Sequence, residues 1–189
     1  GKNAEALLEL GQALSIDPFN PDVYKELADV YVATADSAKA EAMYRKAIEL
    51  QPRDWTAYNY FGRYFYSAGR YDSAITMWKK VVELEPRVRI GYNNLGVVYF
   101  MLERWHDGIE QFERSIHVDT NAPSVAYTNL ANLYYYDGQY ARSADTYEKA
   151  LRYSSSSYST WGGLGAALKE MNSKKVAQEA FAKAAALAE

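Results

Sequence analysis

The chain has 189 residues, of which 49% are hydrophobic and 24% charged, so it has enough apolar material for the core of one domain or two small ones. The formal net charge of -3 gives no support to nucleic-acid binding, which needs a basic face, and no stretch of about 18 uncharged apolar residues could span a membrane. The absence of cysteine excludes disulfides and thiolate metal sites but leaves the compartment open, with the cytoplasm favoured.

An aromatic residue recurs along the chain at a nearly constant interval. Tyr24, Tyr58, Tyr92, Tyr127 and Trp161 are separated by 34, 34, 35 and 34 residues. Each is followed three residues later by a large apolar residue and then by a small one. The small residues are Ala28, Gly62, Gly96, Ala131 and Gly165. A period between roughly 20 and 50 residues is typical of a stacked repeat array, and such arrays usually bind partners rather than catalyse reactions.

The period divides the chain into one single helix and five helix pairs, so about eleven helices are predicted. Residues 4–16 continue the pattern backwards and are predicted to be the second helix of a repeat whose first helix is missing. Each following repeat is predicted to form helix, short turn, helix, turn. Repeats one to five are 21–54, 55–88, 89–123, 124–157 and 158–189.

Repeat two shows the pattern most clearly. Tyr58, Phe61 and Phe65 fall on one face of a helix, at spacings of three and seven residues. Gly69 can then end that helix in a left-handed conformation, which costs glycine no Cβ clash. The second helix places Trp78 on its buried face, and Pro86 ends it.

Repeat three departs from the others by one extra residue. Thr120 stands where the other repeats favour proline, and Pro123 is displaced. A changed repeat angle, and hence a bend, is predicted after Thr120. The alternative is a surface-loop variation without structural effect, because loops accommodate insertions at small entropic cost.

These recurring residues resemble the tetratricopeptide repeat (TPR) pattern, which has an aromatic residue at position 4, glycine or alanine at position 8 and proline at position 32. The resemblance covers almost the whole chain. It implies an all-α fold, a right-handed α-solenoid of antiparallel helix pairs forming one array over 1–189. It also implies that the first helix of each pair lines a concave groove where a protein or peptide partner binds.

The positions that face this groove in the family are rich in asparagine and tyrosine in repeats two to four. Side-chain amides donate and accept hydrogen bonds, so they suit the backbone of an extended peptide, while tyrosine gives flat contact area with a polar tip. Asn94 and Asn129 stand where some peptide-binding TPR proteins carry an asparagine ladder, and Tyr60 and Gly163 interrupt it. The predicted groove residues are Asn59, Tyr60, Arg63, Tyr66, Asn93, Asn94, Phe100, Asn129, Asn132, Tyr135 and Tyr136.

No catalytic, metal or cofactor site is predicted. His106 and His117 lie eleven residues apart on a second helix and are expected to point away from the groove as surface residues. No glycine-rich phosphate loop and no nucleophile with a matching base is recognisable. The chain is therefore predicted not to be an enzyme and to need no cofactor.

Three hypotheses for the function follow. The first is a scaffold that binds a peptide or protein segment in the groove of repeats two to four. The second is self-assembly, because neither the helix at 4–16 nor the last helix at 174–188 has a polar cap, and both are expected to expose apolar faces. The third, by analogy of fold, is the TPR helper region of a larger bacterial signalling enzyme or regulator.

Overall fold

The computed structural model describes residues 1–118 and 124–188, and all regular secondary structure in these ranges is α-helical. These described ranges contain eleven helices, as the sequence predicts. They are α1 (Lys2–Ile16), α2 (Pro21–Ala33), α3 (Ser37–Leu50), α4 (Trp55–Ser67), α5 (Tyr71–Leu84), α6 (Arg89–Met101), α7 (Trp105–Val118), α8 (Ser124–Tyr136), α9 (Tyr140–Tyr153), α10 (Tyr158–Glu170) and α11 (Lys174–Leu187). The predicted bend after Thr120 lies outside the described residues.

The helices form two compact units, Gly1–Pro86 and Arg87–Glu189. In the N-terminal unit, α2 packs against α3 and α4 against α5, while α1 contacts α2 and α3 contacts α4. In the C-terminal unit, α6 pairs with α7, α8 with α9 and α10 with α11, and the pairs are joined by contacts of α7 with α8 and of α9 with α10. The predicted all-α architecture of consecutive helix pairs is therefore confirmed in the described residues.

In repeats one, two and five, the recurring aromatic residue near the start of the first helix joins that helix to the preceding turn by a hydrogen bond. The Tyr24 hydroxyl donates to the Pro18 carbonyl oxygen at 3.0 Å, and Tyr58 donates to Pro52 in the same way. Trp161 Nε1 donates to the Ser155 carbonyl oxygen at 2.8 Å, again six residues earlier. An aromatic residue with a polar tip thus fills the space between repeats and satisfies a turn carbonyl.

The small residue in each first helix allows close approach of an aromatic ring from its partner helix. A Cβ added at Gly62 would lie 2.6 Å from Trp78 Nε1, and one added at Gly96 would lie 2.5 Å from the Phe112 ring. Glycine inside a helix costs about 1 kcal/mol relative to alanine. The buried ring that fills the space of the missing methyl group offsets this cost. This explains why a small residue recurs at this position.

The turn inside each pair ends with a residue in the left-handed conformation. Gly69 and Gly138 adopt φ of 70° and 76° there, and Ala35, Glu103 and Asn172 adopt φ between 56° and 64° in the equivalent turns. The left-handed conformation predicted for Gly69 at the end of its helix therefore occurs in all five repeats. Three of them adopt it without glycine.

Candidate functional site

In the N-terminal unit, α4 carries four of the predicted groove residues, and these side chains differ in their exposure to solvent. Asn59 is buried, with 6% of its surface accessible, so little of its amide is left for a partner. Tyr66 is half-buried against the rings of Tyr71 and Trp78. Arg63 is exposed and lies over the ring of Tyr60, 5.7 Å from its centroid. Tyr60 and Arg63 therefore remain accessible on this helix.

In the C-terminal unit, the other seven predicted residues lie on α6 and α8, which contact each other directly. Asn93 uses its side-chain oxygen to accept a hydrogen bond from the Ser115 hydroxyl of α7 at 2.6 Å. Asn94, Asn129 and Asn132 are half-buried. Asn93 thus has a role in joining the two helices of its repeat, whereas Asn129 and Asn132 border the space between α6 and α8.

A cavity of about 130 Å³ lies between α6 and α8. Its apolar lining comes from Val97 and Phe100 on α6 and from Phe112 on α7, and its polar lining comes from the amides of Asn129 and Asn132 on α8. Amides beside an apolar hollow are the combination found in ligand sites, where a few polar groups fix the orientation of an apolar group.

Tyr147 of α9 fixes the orientation of one of these amides. Its hydroxyl donates a hydrogen bond to Asn132 Oδ1, and the residue is buried, with 3% of its surface accessible. Burial raises the pKa of Tyr147 to about 12, so the hydroxyl is protonated and able to donate at neutral pH. The Asn132 oxygen is therefore occupied within the chain.

Gly163 makes room for the Tyr147 ring. A Cβ at Gly163 would lie 2.3 Å from Tyr147 Cζ, closer than two carbon atoms can approach. In the sequence, Gly163 appears as an interruption of the asparagine series. In the structure, the missing side chain is what allows the tyrosine to pass α10 and reach Asn132.

The hydrogen bond between Tyr147 and Asn132 has an equivalent in repeat one, which the sequence analysis missed. Tyr44 of α3 donates to Asp29 Oδ1 of α2, and both pairs are fifteen residues apart. In repeat three the corresponding residues are Val97 and Phe112, which are both apolar. The signal was present in the sequence as a tyrosine fifteen residues after Asp29 and after Asn132. Repeat three has no such pair, so Val97 and Phe112 give the cavity its apolar side.

Aromatic rings continue the C-terminal face beyond the cavity. Phe100 packs edge-on against Trp105 and Tyr136, and the rings of Trp105 and Tyr136 stack with centroids 5.2 Å apart. Tyr135 joins them through edge contacts with Tyr136 and Tyr140. Tyr136 is 56% exposed, so this cluster offers ring surface next to the amides.

A second cavity, in the N-terminal unit, has a charged lining. It measures about 440 Å³ and is lined by charged and polar side chains, namely Asp22, Lys25, Glu26, Asp29, Thr56 and Tyr60. Lys25 is 9% exposed and pairs with Asp22 at 2.7 Å and Asp54 at 2.8 Å. Burial alone lowers the pKa of Lys25, but the hydrogen bonds and charges of Asp22 and Asp54 outweigh it and raise this pKa above its ordinary value.

The described part of the chain offers no metal centre, since no three histidine, aspartate or glutamate side chains in it come together. His106 and His117 are both exposed on α7, as the sequence predicts. Among the helices that the structure describes, none combines the length and the apolar character needed to cross a bilayer.

Three family models match successive parts of the chain. Residues 1–61 and 87–156 match tetratricopeptide repeat models, and residues 62–103 match a TPR repeat model. Among curated proteins, the type IV pilus assembly protein PilF of Pseudomonas aeruginosa is 29% identical over 150 residues. That alignment covers 78% of this chain and 59% of PilF, so the chain spans about three fifths of that relative's length.

Solved structures with the same fold cover most of the chain. MamA superimposes with a TM-score of 0.81 at 23% identity, over 88% of this chain and 91% of that one. PilF of Pseudomonas aeruginosa gives 0.77 at 23% identity, over 95% and 82%. YrrB gives 0.80 at 18% identity, over 94% and 91%. At these identities the similarity establishes the fold.

Proposed function

Because the chain belongs to the tetratricopeptide repeat family, whose repeats serve as protein-interaction scaffolds, we propose that it binds a linear peptide segment of a partner protein along α6 and α8. The observation that carries this proposal is the cavity between these two helices, with its two amides beside an apolar lining. YrrB, which has the same fold, is described as a TPR protein with an unusual peptide-binding site. The proposed role is binding without catalysis.

The C-terminal unit is favoured over α4 because its polar groups are better placed for a partner. Asn129 forms no hydrogen bond with other residues that the structure describes, whereas Asn59 is buried within its own unit. Exposed ring surface at Tyr136 adjoins the amides. Tyrosine and amide side chains together provide contact area and backbone hydrogen bonds to an extended chain.

Replacing both Asn94 and Asn129 with alanine is expected to weaken peptide binding about 5- to 150-fold, because hydrogen bonds of this kind contribute roughly 0.5–1.5 kcal/mol each. The helical circular-dichroism spectrum should not change. The measurement is fluorescence polarisation with peptides selected against the wild-type chain from a displayed library of random linear twelve-residue peptides.

The matched control replaces two exposed glutamines of other helices, Gln12 in α1 and Gln178 in α11, with alanine. This control should bind as the wild type does. If the double asparagine variant also binds as the wild type does, the face of α6 and α8 is not the peptide site.

Self-assembly is a second candidate, favoured by an apolar cavity of about 420 Å³ between α9, α10 and α11. Trp161, Leu164 and Leu168 line it, and Val176 beside them is 51% exposed. If this surface joins copies of the chain, Val176→Asp should turn a dimer into a monomer in light scattering at high micromolar concentration. A wild-type chain that is monomeric at that concentration contradicts this candidate.

A further inference from the structure

The cavity between α6 and α8 indicates which peptide residue the face selects. We propose that it is a socket for one aliphatic side chain of the bound peptide, of the size of valine, leucine, isoleucine or methionine, with Asn129 and Asn132 holding the adjoining peptide backbone. The proposal rests on the peptide-binding function proposed above and specifies the ligand of the same site.

The size of the socket sets the upper limit of the side chain. Its volume is about 130 Å³, and an apolar cavity of about 150 Å³ is sufficient for a molecule as large as benzene. An aliphatic side chain of three or four heavy atoms therefore fits between Val97, Phe100 and Phe112. The two fused rings of tryptophan do not fit without movement of the lining.

The uncharged lining of the socket excludes ionised side chains. Arg89, at the first position of α6, is the one charged side chain that α6 and α8 contain. A carboxylate or ammonium group entering the socket would lose its hydration without gaining an ion-pair partner in the lining. The charged cavity of the N-terminal unit, with Asp22, Lys25, Glu26 and Asp29, shows that the same chain builds a charged lining elsewhere.

The amides at the socket have unused hydrogen-bonding groups that match a peptide backbone. Tyr147 occupies Asn132 Oδ1, so the NH₂ group of Asn132 is left as a donor for a carbonyl oxygen. The Asn129 amide, which bonds to no other residue that the structure describes, can both donate and accept. A residue of an extended peptide presents one N–H and one C=O beside its side chain, so backbone and side chain are recognised together.

The test uses the whole chain and the library-selected peptides described above. Peptides selected against the wild type should share an aliphatic residue at one position, and changing that residue to alanine should weaken binding at least about tenfold, the loss expected for one buried aliphatic side chain. Val97→Phe fills the socket, so the aliphatic peptide and its alanine form should bind this variant equally. Val32→Phe, at an exposed site on α2, should behave as the wild type does.

A second variant keeps the proposal testable if Val97→Phe does not fold. Val97→Ala enlarges the socket and should shift selection towards methionine and phenylalanine. Two outcomes overturn the socket while the double asparagine variant still loses binding. In the first, the selected peptides share no aliphatic residue. In the second, the change to alanine weakens peptide binding to Val97→Phe as much as to the wild type. If no peptide is selected at all, the proposed function and the socket are both overturned.

Discussion

Gly163→Ala is expected to lower the free energy of unfolding by about 2 kcal/mol, whereas the same substitution at the neighbouring Gly162 should raise it by about 1 kcal/mol. Both glycines are inside α10, where alanine is normally better by about 1 kcal/mol. A Cβ at Gly162 meets no other atom within 4 Å, but one at Gly163 would lie 2.3 Å from the buried ring of Tyr147. Moving that ring overpacks the core, which costs about 1–3 kcal/mol, and breaks its hydrogen bond to Asn132.

Urea denaturation followed by circular dichroism measures both variants. Tyr147→Ala supplies the control, because removal of the ring leaves space for the new methyl group. In that background Gly163→Ala should be neutral or stabilising. If Gly162→Ala and Gly163→Ala change stability equally in the wild-type background, the contact between Gly163 and Tyr147 is not the reason for the glycine.

Asp54→Ala is expected to lower the free energy of unfolding by about 3 kcal/mol. Asp54 caps α4 by accepting the Thr56 backbone N–H at 2.9 Å, and it pairs with Lys25, which is 9% exposed. Loss of a cap costs about 1 kcal/mol, and removing one partner of a buried ion pair costs several more. Asp22 still pairs with Lys25, which keeps the loss at the lower end of that range.

Asp36→Ala is the matched control, because Asp36 caps α3 and pairs with Lys39, whose side chain is 62% exposed. It should cost only what the cap contributes, and so less than Asp54→Ala, because exposed ion pairs contribute little. The difference between the two variants in urea denaturation measures the contribution of Lys25 burial. Equal losses would mean that Asp54 acts only as a cap.

The pair of Lys25 and Asp54 also makes stability depend on pH. Burial raises the pKa of Asp54, but hydrogen bonds from Lys25 and Thr56 outweigh this and hold that pKa below its ordinary value of 3.8. The Asp54 contribution is therefore present above that ordinary value and is lost as the pH falls through the lowered pKa. Lys25 has a raised pKa, so its contribution is present below 10.5 and is lost as the pH rises through the raised value.

The sequence predicts the fold well because the same structural residues recur at the same positions in every repeat. The aromatic residue near the start of each first helix and the small residue four positions later are local features, and each occurs five times. The first and last helices are correctly placed for the same reason, with α1 beginning two residues earlier than predicted and α11 ending one residue earlier. The division after Pro86 has no such local signal.

The candidate site was less predictable because its residues serve two purposes. Asn93 and Asn132 look like free amides in the sequence, yet Ser115 and Tyr147 occupy their oxygens. These partners lie 22 and 15 residues away on second helices. The family resemblance assigns groove residues only to first helices, so it did not point to these partners. Asn59 is buried, although the family pattern places its position on the groove face.

The hydrogen bond from Tyr147 to Asn132 has a consequence for protein engineering. A designer who transplants the face of α6 and α8 onto another repeat scaffold would ordinarily copy only the first helices. The transplanted asparagine would then lose the tyrosine that orients it, and the tyrosine in turn needs the glycine that gives it space. The smallest portable unit of this surface therefore includes Asn132, Tyr147 and Gly163, which come from three successive helices.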